Sequence, residues 1–350
     1  MKYLRALLVV LLIIVPGCSP DSPHAHPDSV AGPADALRVG QIRSNLKPLL
    51  QAAGQLEDLP YAITWSSFEN GAQAIEAQSA GSADIAYMAD TPPIFAEAAG
   101  VAVHIVAMTR APQGARNVSL LVRRGSSVRT MAGLRGKPVA IVPGTITQYL
   151  LLEALREAGL AYDDVRQLNL QAPEAITALG RGDAEAAVLV DPFAATAVSS
   201  GVADILRTGE GLLSGSNVLV ATDAALADPR RAAVIGDFLQ RIKAAIAWAA
   251  RSEAAWAAVY ARVNQLPPQV AHETVRRGTT YLVPIDGAAI QAQQRQADAF
   301  NELGLLPRRL NAAEQYDDRF NRLLFPGTDR TTPLTPSRHI GPARGHSRRP

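Results

Sequence analysis

One cysteine in 350 residues excludes a disulfide framework and a cysteine-rich zinc site, and its place at position 18 confines thiol chemistry to the extreme N-terminus. Aromatic residues are scarce at 5% and charged ones make up only 19%, yet 48% of the chain is hydrophobic. That is too apolar for a chain whose main state is disordered, and long enough for two lobes of ordinary size. Neither sign of charge dominates. The net charge is +2, with Lys2 and Arg5 near the start and five arginines against Asp329 over 327–350, which leaves about −4 for the centre. A clustered basic footprint for nucleic acid is thereby excluded. The N-terminal apolar run, Ala6 to Val15, is too short to span a bilayer.

What that run does match is an export signal, since Lys2 and Arg5 lead into it. It ends at Val15-Pro16-Gly17-Cys18, which resembles a bacterial lipoprotein signal. In such a signal a small residue precedes the cysteine that receives the lipid and becomes the mature N-terminus. The expectation is a signal peptide over 1–17, lipidation of Cys18, and a periplasmic protein held to a membrane by that lipid. Ser19 leaves inner and outer membrane both open. Of 24 prolines, 10 fall in 16–33 and 326–350, so the ends read as a tether over 18–35 and a disordered tail over 326–350. The tail has almost no large apolar residue and cannot build a core of its own.

Between the ends, short apolar runs alternate with helical patterns. Leu37–Gly40, Ala62–Trp65, Asp84–Met88, Val103–Ala107, Val139–Val142, Val165–Leu170 and Ala186–Val190 read as strands. Leu151, Leu152, Leu155 and Ala158 recur at helical spacing, as do Ile235, Phe238, Ile242, Ile246 and Ala249. This rhythm predicts an α/β fold with two parallel-rich sheets. Two longer extended runs, Asn117–Arg123 and Asn217–Thr222, bracket a middle block with its own β/α alternation and read as the two hinge strands between lobes. One lobe is expected over 36–120 with 219–325, the other over 121–218.

In such sheets chemistry gathers at the carboxyl ends of strands, where helix N-termini face a crevice. Four junctions qualify. They are Gln41-Ile42-Arg43-Ser44, Asp90-Thr91-Pro92-Pro93, Gly144-Thr145-Ile146-Thr147-Gln148, and Asp191-Pro192. Each can be a plain helix cap, because Ser, Thr and Asp are what caps prefer. Several around one crevice are preorganised for a small anion, since their free N–H groups and partial positive charge converge. Thr91, Thr145 and Thr147 offer hydroxyls, and Arg43 and the pair Arg276-Arg277, with Arg276 the expected ligand residue, offer charge-assisted bonds to an oxyanion. Gln41, Ser44, Asp90, Gly144 and Asp191 complete the candidate set.

These residues also carry a family resemblance. It is strongest in Trp65-Ser66-Ser67-Phe68-Glu69, in Ile75 through Asp84, and in Ala89-Asp90-Thr91-Pro92-Pro93-Ile94-Phe95, and extends more weakly from about Leu37 to Pro307. The chain resembles the substrate-binding proteins of ABC importers for aliphatic sulfonates, in the wider sulfonate, nitrate and taurine group. The resemblance implies the bilobed periplasmic-binding-protein fold of type II and a small sulfonate-like anion as ligand. It also implies an inner-membrane ABC permease as partner, a monomer, and no cofactor or metal.

Departures from the family pattern bear on the ligand. The usual Tyr-Gln pair after the first strand is here Gln41-Ile42, the usual Trp before Asp-Pro is Val190, and the Gly-Ser-Asn turn is Gly144-Thr145-Ile146. A pyrimidine or other heteroaromatic precursor as ligand, and a sensor role without transport, stay open. Enzymes share the fold, but a cysteine nucleophile needs a cleft position with a base beside it, and Cys18 has neither. His104 and His272 are the histidines of the core, and neither has a second catalytic group in view. The reading is a binding protein, not an enzyme.

Overall fold

The computed structural model describes residues 36–43 and 45–327. The expected signal peptide, Cys18 and its tether, Ser44, and the tail beyond Gly327 lie outside the described residues.

The first stretch holds β1 (Leu37–Ile42), α1 (Leu46–Ala52), β2 (Ile63–Phe68), α2 (Gly71–Ser79), β3 (Ile85–Ala89), α3 (Pro92–Ala98) and β4 (Val103–Arg110). The middle block holds β5 (Val118–Arg123), β6 (Pro138–Ile141), α4 (Ile146–Glu157), β7 (Arg166–Asn169), α5 (Ala172–Arg181), β8 (Ala186–Val190), α6 (Phe193–Ser199) and β9 (Ala203–Thr208). Then come β10 (Ser216–Thr222), α7 (Asp223–Ala227), α8 (Pro229–Arg251), α9 (Glu253–Asn264), α10 (Pro268–Gly278), β11 (Tyr281–Val283), α11 (Gly287–Glu302) and α12 (Asn321–Leu324).

Two sheets result, in the orders β11-β4-β10-β3-β1-β2 and β7-β6-β8-β5-β9. The parallel-rich expectation needs correction, because both sheets are mixed. β1 runs parallel to β2 and β3, and β6 to β7 and β8, whereas β10 and β5 run antiparallel to both their neighbours. The reason is the route of the chain. β1, β3 and β8 end at the crevice between the sheets, while β5 and β10 arrive from the opposite sheet, begin at that crevice and run away from it.

Strand and helix faces follow the expected periods. In β10, Leu219 and Ala221 pack on one side with Leu37, Val39 and Ile85, while Val218 and Val220 pack on the other with Ala74, Ile75 and Met88. Helix α8 starts where Asp228 accepts from the N–H of Arg230 at 2.9 Å, with Pro229 as its first residue. Its stripe Ile235, Phe238, Leu239 and Ile242 is fully buried against the first sheet. Burying a side chain such as Phe238 contributes about 1.5–3 kcal/mol. Ala249, expected on the same stripe, instead lines the crevice, and Ala158 is the exposed cap of α4.

The chain crosses between sheets in the segments 111–117 and 209–215, just ahead of the two strands singled out as hinges. The crossings lie side by side. Ala111 N–H donates to the Gly215 carbonyl at 3.1 Å, and Gly209 N–H to the Val118 carbonyl at 2.8 Å. A Cβ on Gly114 would stand 2.8 Å from the Gly215 oxygen, so only glycine permits this approach. Behind the crossings the lobes also meet through rings, with Phe300 of α11 at 4.9 Å from Phe95 and 5.7 Å from Tyr149 of α4.

Candidate functional site

Between the sheets lies a cavity of about 330 Å3, lined from both sides. At its centre the residues of two junctions meet. Arg43 follows β1 with φ of 52°, a left-handed turn that is uncommon for a side chain of this size. From there the guanidinium reaches across the lobes, where Nη2 donates to the Asp191 carbonyl at 3.1 Å and the group stacks over Phe193 at 4.9 Å. Burial pulls its pKa down, opposed by Tyr260, Glu69 and Asp191, but a guanidinium stays charged.

Asp191 follows β8. Its Oδ1 accepts from Ala195 N–H at 3.0 Å, and its Oδ2 from Arg277 Nη2 at 2.8 Å. The side chain is only 5% exposed, and burial raises this carboxyl above its ordinary value, with Arg277 the strongest opposing influence. Arg276 is corrected here, since it is exposed and its neighbour Arg277 enters the site. Helical geometry explains the exchange. Residues 271, 274, 275 and 278 form the inward stripe of α10, which leaves position 276 on the opposite face and 277 on the near flank.

The other candidates separate into two groups. Thr145 and Thr147 line the crevice, but their hydroxyls already serve the turn. Thr145 Oγ1 donates to the Val142 carbonyl at 2.7 Å and caps α4, and Thr147 Oγ1 accepts from Val142 N–H at 3.0 Å. The rest sit behind the crevice. Gln41 caps α1, its Oε1 accepting from Lys47 N–H at 2.9 Å. Thr91 is corrected from crevice hydroxyl to interior contact, because it is fully buried and donates to Gln296 Oε1 of α11 at 2.9 Å. Asp90 accepts from Ser214 Oγ at 2.6 Å and ties the end of β3 to the second crossing. Gly144, with φ of 71°, donates its N–H to Gln148 Oε1 at 2.8 Å and faces Phe95 outside the crevice.

Residues that motif reasoning passed over complete the polar centre. Asn117 Oδ1, Ser216 Oγ, Thr274 Oγ1 and Thr280 Oγ1 are buried without a hydrogen-bond partner among the described residues, as are Nε of Arg43 and Nε of Arg277. All but Arg277 belong to the cavity lining, and Arg277 joins it through Asp191. Each such atom left unsatisfied costs about 1–3 kcal/mol, and buried polar atoms ordinarily find partners. Three hydroxyls and the Arg43 guanidinium edge line one crevice, with Arg277 reaching it only through Asp191, a set that can serve the oxygens of an anion. Asn117, Ser216 and Thr280 lie in or beside crossings and linkers, where no periodicity marks them. Thr274 was legible as part of the α10 stripe.

Beyond this centre the wall turns apolar. Leu46 and Leu49 of α1, Ile246 and Ala250 of α8, and Trp256 and Tyr260 of α9 form it. Tyr260 links the two regions. Arg43, Asp191 and Arg277 all act on its hydroxyl, which burial pushes well above its ordinary pKa, and its ring meets Trp256 edge-on at 5.7 Å.

Two lobes with two chain crossings and an anion-matched crevice between them define a solute-binding protein. The family of ABC-transporter phosphonate periplasmic substrate-binding proteins matches residues 56–254. A protein of Escherichia coli K12 named for binding aliphatic sulfonates is 31% identical over 286 residues, covering 80% of this chain and 88% of that one. A Bacillus subtilis protein named likewise is 24% identical over 91% of this chain and 96% of its own. Among solved structures, the alkanesulfonate-binding protein of Xanthomonas axonopodis pv. citri, bound to MOPS, superposes with a TM-score of 0.73 at 28% identity. The match covers 81% of this chain and 98% of that one. The aliphatic sulphonate-binding protein of Escherichia coli gives 0.72 at 28% identity, over 83% and 99%. The chain belongs to the periplasmic substrate-binding proteins of ABC importers, in the group of the aliphatic-sulfonate-binding proteins.

Proposed function

We propose that the protein captures an organic sulfonate in this crevice for delivery to an ABC permease, its lobes closing on the ligand by bending at 111–117 and 209–215. The observation that carries the reading is the convergence of Arg43 and Arg277 on Asp191, with an Nε edge of each arginine free. Arg43 and the partly exposed Arg277 bring positive charge to the site against the buried Asp191 carboxylate, and the exposed Glu69 and Glu273 offset part of it, a balance that favours a monoanion over a dianion. A sulfonate carries one negative charge and three acceptor oxygens. A phosphonate dianion would bring a second negative charge beside the buried Asp191 carboxylate, at the cost of burying it without a matching cation. The Arg277–Asp191 pair joins elements of both lobes, so opening separates it and closure reforms it. Closure requires that the ligand bind the closed form better than the open one.

Isothermal titration of the protein, stripped of carried ligand, against alkane- and arylsulfonates, phosphonates, sulfate, nitrate and a pyrimidine precursor tests the reading. The expected result is micromolar or tighter binding of a sulfonate, about −8 kcal/mol, with scattering dimensions that shrink at saturation. Binding of a phosphonate or pyrimidine with silence toward every sulfonate would overturn the ligand class. Unchanged dimensions would remove the closing step.

Lipid attachment at Cys18 belongs to the same proposal and is supported by Val15-Pro16-Gly17-Cys18 at the end of the export signal. Cys18→Ser is expected to move the protein from the membrane fraction to the soluble one. Retention on the membrane would refute the anchor.

A further inference from the structure

We propose that the apolar end of the crevice is a tail subsite that selects sulfonates bearing a ring or a compact tail of comparable bulk, with Trp256 as its specificity-determining residue. The inference rests on the sulfonate reading above and deepens it.

Size carries the first part. The cavity of about 330 Å3 is more than twice as large as an apolar cavity of about 150 Å3 that holds benzene. A sulfonate head on Arg43 and Arg277 therefore leaves room for a ring, and a two-carbon tail leaves the far wall without contact. Unfilled apolar space forfeits the dispersion contacts of its lining.

The chemistry of the wall carries the second part. Leu46, Leu49, Ile246 and Ala250 offer no hydrogen bond, so the face they form suits an apolar tail better than one that carries an ammonium or a carboxylate. Trp256 and Tyr260 stand edge to face, and an aromatic tail extends that arrangement by a third ring. The order along the crevice is set by Tyr260, which lies in the field of the two arginines and packs on Trp256. Head and tail thus have separate seats joined by Tyr260.

The test is isothermal titration of the full-length protein with toluenesulfonate, ethanesulfonate and taurine. Toluenesulfonate is expected to bind at least about tenfold tighter than ethanesulfonate, from the apolar area it buries, with taurine weakest. Trp256→Ala is expected to weaken toluenesulfonate more than ethanesulfonate and so to abolish that advantage. Ala250→Leu provides a second variant. It fills the subsite instead of hollowing it, and is expected to weaken toluenesulfonate more than ethanesulfonate. Equal wild-type affinity for toluenesulfonate and ethanesulfonate, or equal weakening of both in the variants, overturns the tail subsite and leaves the sulfonate reading intact. Silence toward all three overturns both.

Discussion

Replacing Arg277 with methionine is expected to weaken sulfonate binding by at least about a hundredfold, since truncating one partner of a buried, hydrogen-bonded charge pair costs about 2–5 kcal/mol. Arg277 Nη2 holds Asp191 at 2.8 Å, while its Nε is buried without a partner among the described residues and is proposed to serve the ligand. Both functions vanish together in the variant. The same change leaves the Asp191 carboxylate buried with Ala195 N–H as its remaining side-chain donor, so the melting temperature also falls. The two effects separate in the double variant Arg277→Met with Asp191→Asn, where the buried carboxylate that Arg277 held is removed with it. Its melting temperature is expected to recover toward wild type while the affinity does not. Arg277→Lys is expected to rescue little, because one ammonium cannot serve a carboxylate and a ligand along two edges as a planar guanidinium does. Titration calorimetry and thermal melts on the four proteins decide the matter. A double variant that binds sulfonate within about threefold of wild type would remove Arg277 from the site.

Asp191→Asn alone is expected to have the opposite sign. It keeps the shape of the side chain and removes the buried carboxylate beside Arg43 and Arg277, so the centre becomes more positive by one charge. Affinity for a sulfonate rises, and affinity for a phosphonate dianion rises more, because each unit charge at about 4 Å contributes up to about 4 kcal/mol near a protein surface. The wild type is expected to show a matching pH dependence. Burial raises the Asp191 carboxyl, and a bound anion beside it raises it further, so binding takes up a proton. A sulfonate stays ionised throughout, and its affinity therefore climbs as pH falls from neutrality toward the raised Asp191 value, by up to about tenfold for each unit that the ligand adds. For the ligand-free protein the sign also follows from a raised carboxyl. The stability contribution is fully present below the unfolded value near about 4, and is lost as pH rises through the folded one. Asp191→Asn flattens both curves. Titrations in two buffers of different ionisation enthalpy, with melts across the same range, check this, and a pH-independent wild-type affinity contradicts it.

Particular residues show why some of this was legible in the sequence. The alternation in β10 sends Leu219 and Val220 to opposite cores, and the stripe of α8 buries Ile235, Phe238 and Ile242, because strand and helix periods act within a few residues. Caps behave similarly. Thr145 caps α4 and Asp191 accepts from Ala195 N–H four residues on, both within one turn of where they stand in the chain. The mixed character of the sheets was not legible, since strand direction depends on where the chain re-enters. Thr91 also precedes a helix, but its backbone is already helical, with φ of −77° and ψ of −45°, and its hydroxyl meets Gln296 of α11 instead of capping α3.

The sequence by itself determined the α/β rhythm, the family, the four strand-to-helix junctions and the pool of polar residues from which a site had to be drawn. Tertiary structure alone decided which of them converge. Arg43, Asn117, Asp191, Ser216 and Thr274 come from both lobes and from the crossings and face one crevice, which Arg277 joins through Asp191, because two sheets meet end to end. Capping and periodicity are short-range and are written in neighbouring residues. Convergence is a property of how distant elements dock, and the 100° between Arg276 and Arg277 on one helix suffices to put one in solvent and the other in the site.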